Sequence, residues 1–364
     1  MLIQHDQAVA DKVNGLLTDA CKQHISDIHI EPMATICRIR FRKNGLLYEK
    51  NTIPLLVANR MILRIKVMAN LNIAEKRLPQ DGRFYTPENE LEVRVSTCPH
   101  LYGEKIVLRL FQKQNTYFSI DDIGLLPSQK TLLVKKLEAP QGLILITGPT
   151  GSGKTITLYT ALRYLNTIEK NILSIEDPIE MQLPGITQIQ TNPKIGLDFP
   201  NLLRTCMRQD PDILMIGEIR DTDTANIAIQ AAQTGHLVLA TLHTNNTVEA
   251  IQRLQTLGVS SDQLSHSLSL IVAQRLIRMS CHDCIDKKQH SNTCHGGYVG
   301  RTGMFEMLPN SPTLTQLIAQ NGSRLALEQA FDMENLLSLK EVGLEKVKQR
   351  ITDIAELKRV IGHL

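Results

Sequence analysis

The stretch "LILITGPTGSGKT", Leu143–Thr155, joins an apolar run to a glycine-rich loop that ends in Lys and Thr. Leu143 to Ile146 have the length and content of a buried strand, and "ITLYTALRYL", Ile156–Leu165, reads as a helix. The G-x-x-x-x-G-K-[ST] pattern between them sits in the strand–loop–helix context that a phosphate-binding loop requires. Gly148, Pro149, Thr150, Gly151, Ser152 and Gly153 would turn backbone N–H groups toward phosphate oxygens at a helix N-terminus. Lys154 would reach the β- and γ-phosphates of ATP, and the Thr155 hydroxyl would ligate Mg2+. This pattern points to nucleotide binding and by itself leaves hydrolysis open.

Outward from the loop, short apolar strands recur at "NILSIED", "ILMIGE" and "HLVLATLH", separated by helical or loop segments. Near-continuous apolar strands alternating with helices predict an α/β fold, a mostly parallel sheet covered on both faces. The N-terminal third is written differently. Residues 6–24 and 54–70 have helical periodicity, whereas "DIHI", "ICRIRFR", "GRFYT", "LEVRVST" and "KIVLRLF" alternate apolar and polar residues, with "KNG" as a hairpin turn. The expected organisation is a small α+β domain over 1–112, a linker over 113–127, and the phosphate-loop domain over 128–364. The last includes a cysteine loop at 281–294 and short helices over 311–364.

Two further strands end in acids. Glu218 closes "ILMIGE", and Glu176 and Asp177 close "ILSIED". At the first place of the usual acidic pair stands Gly217, so one strand end carries a single carboxylate. A strand exit with a turn would also explain Glu176–Asp177–Pro178, but two acid-ended strands beside one phosphate loop favour a site. His236 and His243 flank the third strand, where His243 could sense a γ-phosphate.

Bulk properties exclude several classes. The net charge is +3 over 364 residues, and there are seven Phe, seven Tyr and no Trp. A nucleic-acid translocase would need a basic patch and stacking platforms that this composition does not offer, so no direct nucleic-acid binding is expected. A nucleotide switch without hydrolysis is disfavoured by the full set of acids and the arginines. No apolar run approaches a membrane span, and the N-terminus lacks the order of a secretory signal, which predicts a cytoplasmic chain. Cys21, Cys37, Cys98 and Cys206 are scattered and read as small apolar residues.

Taken in order, these segments resemble the secretion ATPase superfamily, particularly the type II secretion and type IV pilus assembly ATPases. The resemblance runs through "SDIHIEP" (Ser26–Pro32), "RLPQDGR" (Arg77–Arg83), "RVSTCPHLYGEKIVLRL" (Arg94–Leu110), the phosphate loop, "IEDPIE", "RQDPDILMIGEIRD", "TGHLVLATLHTN", "AQRL" (Ala273–Leu276) and "ITDIAELKRV". It implies a RecA-like P-loop ATPase core preceded by a PAS-like α+β domain. Gly217 is then the normal residue, with Glu218 assigned to Mg2+ and its waters and Glu176 to the attacking water. The resemblance further implies a homo-hexamer in which arginines of one subunit complete the nucleotide site of the next. Arg94 and Arg109 are the best finger candidates, then Arg83, while Arg77 also falls in a matching motif. Arg204, Arg208 and Arg220 are expected to order the acids. Motors of this kind act peripherally at the inner face of the inner membrane on a platform protein, powering secretion, pilus extension or DNA uptake. The chain begins almost at "SDIHIEP", which suggests a short form without the extra docking domain, as in competence-type members.

"CHDCIDKKQHSNTCHGGYVGR", Cys281–Arg301, holds one C-x-x-C pair, Cys281 and Cys284, and a single later Cys294. The resemblance implies two pairs before "GYVGR". His290 or His295 could complete a Cys3His zinc site, His290 standing nearer the missing cysteine. A loop of thiols without metal is the other reading. The loop itself separates this chain from the retraction ATPases of the same superfamily.

Overall fold

The structure is a computed structural model, describing residues 2–112, 118–286 and 294–362. The chain divides into two compact units, residues 1–116 with 281–300, and residues 117–280 with 301–364.

The first unit begins with helix α1 (Leu2–Lys22), strands β1 (Asp27–Pro32), β2 (Ile36–Lys43) and β3 (Leu46–Pro54), and helix α2 (Leu55–Met68). Strands β4 (Gln80–Thr86), β5 (Leu91–His100) and β6 (Gly103–Gln112) follow. They form an antiparallel sheet of order β3-β2-β1-β6-β5-β4. Asn44 and Gly45 both take positive φ, 50° and 85°, giving β2 and β3 the tight turn that right-twisted strands prefer. Alternation sorts the side chains. Ile28, Ile30, Ile39, Phe41, Val93, Val95, Ile106 and Leu108 pack with Val13, Leu17, Met61 and Ile65 of the two helices.

The opposite face is charged. Cross-strand partners set Arg42, Asp27, Arg109, Arg94 and Arg83 in one row across five strands. The alternation of β1 does not leave its polar residues exposed, since all six of its residues are buried. The cause is local. Arg38, Arg40 and Lys105 close on Glu31, and Arg42 and Arg109 on Asp27, so long cationic side chains cover the polar side of this central strand.

The second unit opens with α3 (Pro127–Leu137), β7 (Gly142–Thr147), α4 (Lys154–Leu165), β8 (Ile172–Glu176) and β9 (Thr187–Gln190). It continues through α5 (Phe199–Cys206), β10 (Ile213–Ile216), α6 (Thr222–Gln233), β11 (Leu237–Leu242), α7 (Thr247–Thr256), α8 (Ser261–Ser267) and β12 (Leu268–Ser280). After the short α9 (His282–Asp286), β13 (Tyr298–Pro309) returns to the sheet. Helices α10 (Pro312–Ala319), α11 (Arg324–Met333), α12 (Leu339–Lys348) and α13 (Ile354–Ile361) complete the chain.

The sheet order is β13-β12-β7-β11-β10-β8-β9, with every pair from β12 to β9 parallel. All residues of β7, β8, β10 and β11 are buried. Leu143, Leu145, Leu214, Ile216 and Val238 enter one apolar layer, and Ile144, Ile146, Ile213, Met215 and Leu239 the other. Sequence alone identifies β7, β8, β10 and β11; β9, β12 and β13 extend the sheet beyond them. Sequence alone also attaches the cysteine loop to the phosphate-loop domain, whereas residues 281–300 group with the first unit. There His295 lies against Tyr48 of β3, ring centroids 4.4 Å apart.

Candidate nucleotide site

The phosphate loop leaves β7 after Thr147 and enters α4 at Lys154. Gly153, in the left-handed region at φ 90°, caps the helix with no side-chain hydrogen bond, leaving the first N–H groups open to an anion. Gly148 has φ 149°, and a Cβ there would lie 2.5 Å from the Gln274 carbonyl oxygen and 2.6 Å from Ser152 Oγ. Gln274 of β12 also accepts a 2.8 Å hydrogen bond from Thr157 Oγ1, so it braces both loop and helix. This is the structural content of "AQRL", which sequence reading had only as a motif.

Ser152 Oγ is buried without a hydrogen-bond partner among the described residues, as suits a group awaiting a phosphate oxygen. Lys154 is buried and folds back, donating to the carbonyls of Gly148 at 2.7 Å and Pro149 at 3.2 Å. Burial, with a smaller contribution from Arg275, brings its ammonium down to about 8, against the pull of Glu218. Thr155 is exposed in the first turn of α4. The donor set fits a nucleotide phosphate, and Thr155 with Glu218 offers the oxygens that Mg2+ takes.

Glu218 lies just past β10 and is mostly buried, its carboxylate paired with Arg220 and 3.4 Å from His243 Nε2. Arg220 also reaches Asp177 at 3.8 Å, tying the ends of β8 and β10 together. The His243 imidazole is held below its ordinary range by burial and by Lys154, with Glu218 opposing. Gly217 has a packing reason. A Cβ there would meet the Ile175 carbonyl oxygen at 3.1 Å, so an aspartate would press on β8. Arg204 pairs with Asp223 and Arg208 donates to the Arg204 carbonyl, so neither is held on Glu176 or Glu218. His236 is turned toward the Ala231 carbonyl at 3.0 Å.

Glu176 is the last residue of β8, at the strand end where the sequence puts it. It is 3% exposed, and both carboxylate oxygens are taken. Tyr159 Oη donates to one; Ser174 Oγ, at 2.7 Å, and Gln188 Nε2, at 3.0 Å, donate to the other. The carboxylate thus gathers three side-chain donors from α4, β8 and β9. The exposed acids of the same turn are Asp177 and Glu180. Tyr159, Gln188 and Glu180 escaped sequence reading, and only "IEDPIE" hinted at the last.

The finger candidates stand in the charged row of the first unit. Arg94 covers the Phe111 ring at 4.4 Å, Arg109 pairs with Asp27 at 3.0 Å, and Arg83 is exposed. Arg77 pairs with Glu75 at 3.1 Å.

In the cysteine loop, the sulfurs of Cys281, Cys284 and Cys294 lie within 4.8 Å of one another. Three converging thiols fit tetrahedral Zn2+, with Zn–S bonds of about 2.3 Å. His295 is outside this group, its ring tilted against that of Tyr48. His290 lies outside the described residues.

A phosphate loop closing a buried parallel strand, with acids ending the strands beside it, defines a P-loop nucleotide-binding protein of the α/β class. More specifically, the chain belongs to the Type II/IV secretion system protein family, whose profile matches residues 3–359. It is 47% identical over 362 residues to the Protein transport protein HofB homolog of Haemophilus influenzae, covering 99% of this chain and 74% of that protein. It is 43% identical to the Type IV pilus assembly ATPase PilB of Pseudomonas aeruginosa, covering 98% of this chain and 68% of that one. The solved ATPase DotB of Yersinia pseudotuberculosis shares the fold, with a TM-score of 0.75 at 22% identity over 96% of this chain and 92% of that one. No described helix is long and apolar enough to cross a membrane.

Proposed function

We propose that the chain hydrolyses ATP as a homo-hexameric motor that powers assembly of pilin-like fibres in type II secretion, type IV pilus extension or competence DNA uptake. The observation that carries this reading is the gathering of Lys154, Thr155, Glu218 and the 177–180 turn around the C-terminal ends of one parallel sheet. Lys154 and the N-terminus of α4 bind and orient the phosphates. Thr155 and Glu218 hold Mg2+, which when bound neutralises charge on the phosphates. His243, kept neutral beside Glu218, adjoins the γ-phosphate. Asp177 and Glu180, exposed in the turn after Glu176, are the carboxylates assigned to the attacking water.

Arg94 and Arg109, then Arg83, serve as fingers offered to the nucleotide of a neighbouring subunit. A finger stabilises charge as it develops on the transferred phosphoryl group. The motor works at the cytoplasmic face of the inner membrane through a platform protein. A structural Zn2+ is held by Cys281, Cys284 and Cys294, with His290 as fourth ligand, and fixes the loop without entering the chemistry. Metal analysis tests this part. About one zinc per chain is expected, with loss in Cys284→Ser and in His290→Ala.

The motor reading is tested by Mg2+-dependent phosphate release. Turnover is expected in the wild type and in Glu180→Gln only weakly. Nucleotide binding without turnover at any protein concentration would contradict it.

A further inference from the structure

The turn that follows β8 carries its two exposed acids outward and is laced from inside by side chains of other elements. Tyr159 stands in α4, five residues after Lys154, so it rides on the helix whose first turn meets the phosphates. Its hydroxyl donates to Glu176 at the end of β8 and accepts the Glu180 N–H at 3.2 Å, at the far end of the turn. Gln188 of β9 adds a second lacing. Its Nε2 donates to Glu176 and to the Met181 carbonyl, both at 3.0 Å, and its Oε1 accepts from Leu183 N at 2.7 Å. Tyr159 is 2% exposed and Glu176 3%, so this network is shielded from water, where each bond counts for more. Burial and the Glu176 carboxylate push the Tyr159 hydroxyl up from its ordinary value, so it remains a donor throughout the working range.

We infer that Tyr159 is a positioning residue: through Glu176 and the Glu180 N–H it fixes the acid-bearing 177–180 turn relative to the phosphate-loop helix, and so governs turnover rather than nucleotide affinity. This rests on the ATPase reading above. Glu176 then acts as the anchor of the clasp, and its carboxylate works by geometry. A displacement of about 1 Å in such a turn can lower a rate on the order of 100-fold while leaving the phosphate cradle intact.

The test compares wild type, Tyr159→Phe, Glu176→Gln and the double variant, measuring kcat and KM for ATP, ADP affinity by calorimetry, and melting temperature. Tyr159→Phe keeps the ring and removes the hydroxyl that links Glu176 to the Glu180 N–H, and is expected to lower kcat about tenfold or more, with KM and ADP affinity within about twofold. Glu176→Gln should fall to a similar kcat, and the double variant no further than the worse single one. Ser174→Ala removes a different donor from the same carboxylate and should give a smaller drop of the same kind, which keeps the test open if Tyr159→Phe does not fold. Three results would overturn the inference: an unchanged kcat in Tyr159→Phe, a parallel fall of kcat and ADP affinity, or turnover abolished by Glu176→Gln alone. A wild type that binds ADP but never hydrolyses ATP would instead sink the ATPase reading itself.

Discussion

The two sheets solve burial in opposite ways, and each leaves a different surface free for chemistry. The six-stranded antiparallel sheet packs one face on α1 and α2 and leaves the other lined with arginines. The seven-stranded sheet is apolar on both faces, so only its strand ends remain for polar groups. One unit presents a charged face, the other a set of polar strand ends. A charged face would suit groups offered to another subunit, and convergent strand ends a site that encloses phosphates.

The sharpest way to break this contrast is to perturb both faces of the first sheet. Phe41, fully buried, should cost about 3–5 kcal/mol when changed to Ala. Arg83, exposed on the opposite face, should cost no more than about 0.5 kcal/mol. Chemical denaturation of both variants decides, and equal losses would mean that the charged face is a structural one.

At the strand ends, Lys154→Ala should reduce phosphate release on the order of 100-fold or more, by analogy with loss of a preorganised charge partner. A subtler probe is pH. Lys154 sits at about 8 with the loop carbonyls as its partners, and bound phosphates raise it. Nucleotide therefore binds best below that value, and ADP affinity should weaken up to about tenfold per unit as pH rises above 8. Lys154→Arg should flatten the curve, because guanidinium does not deprotonate in this range. The smallest effect belongs to His295→Ala. It removes a ring contact with Tyr48 worth about 0.5–1.5 kcal/mol, lowering melting temperature while zinc content stays unchanged.

The contrast also explains what could be read from the chain. β7 and its loop were legible because a continuous apolar run meets a motif whose every residue has a local reason. β2 was legible because Cys37, Ile39 and Phe41 alternate with arginines. β12 was not: Gln274, Arg275 and Arg278 interrupt its apolar run, and their partners lie far off in sequence, Gln274 with Thr157 and Arg278 with Glu356. The partners of Glu176 were hidden for the same reason. A strand-end acid looks available until Tyr159 and Gln188, brought in by α4 and β9, occupy its oxygens. The arginines were legible one strand at a time, but their alignment into a row depends on register, which no single strand reveals.

The central claim is that a face of one unit completes the strand-end site of another subunit. Mg2+-dependent ATP hydrolysis measured across protein concentration, for wild type and Arg94→Ala, tests it most directly. The account predicts a specific activity that climbs with concentration in the wild type and falls about 1,000-fold or more in the variant, with ADP binding retained. Concentration-independent activity that survives Arg94→Ala would contradict it.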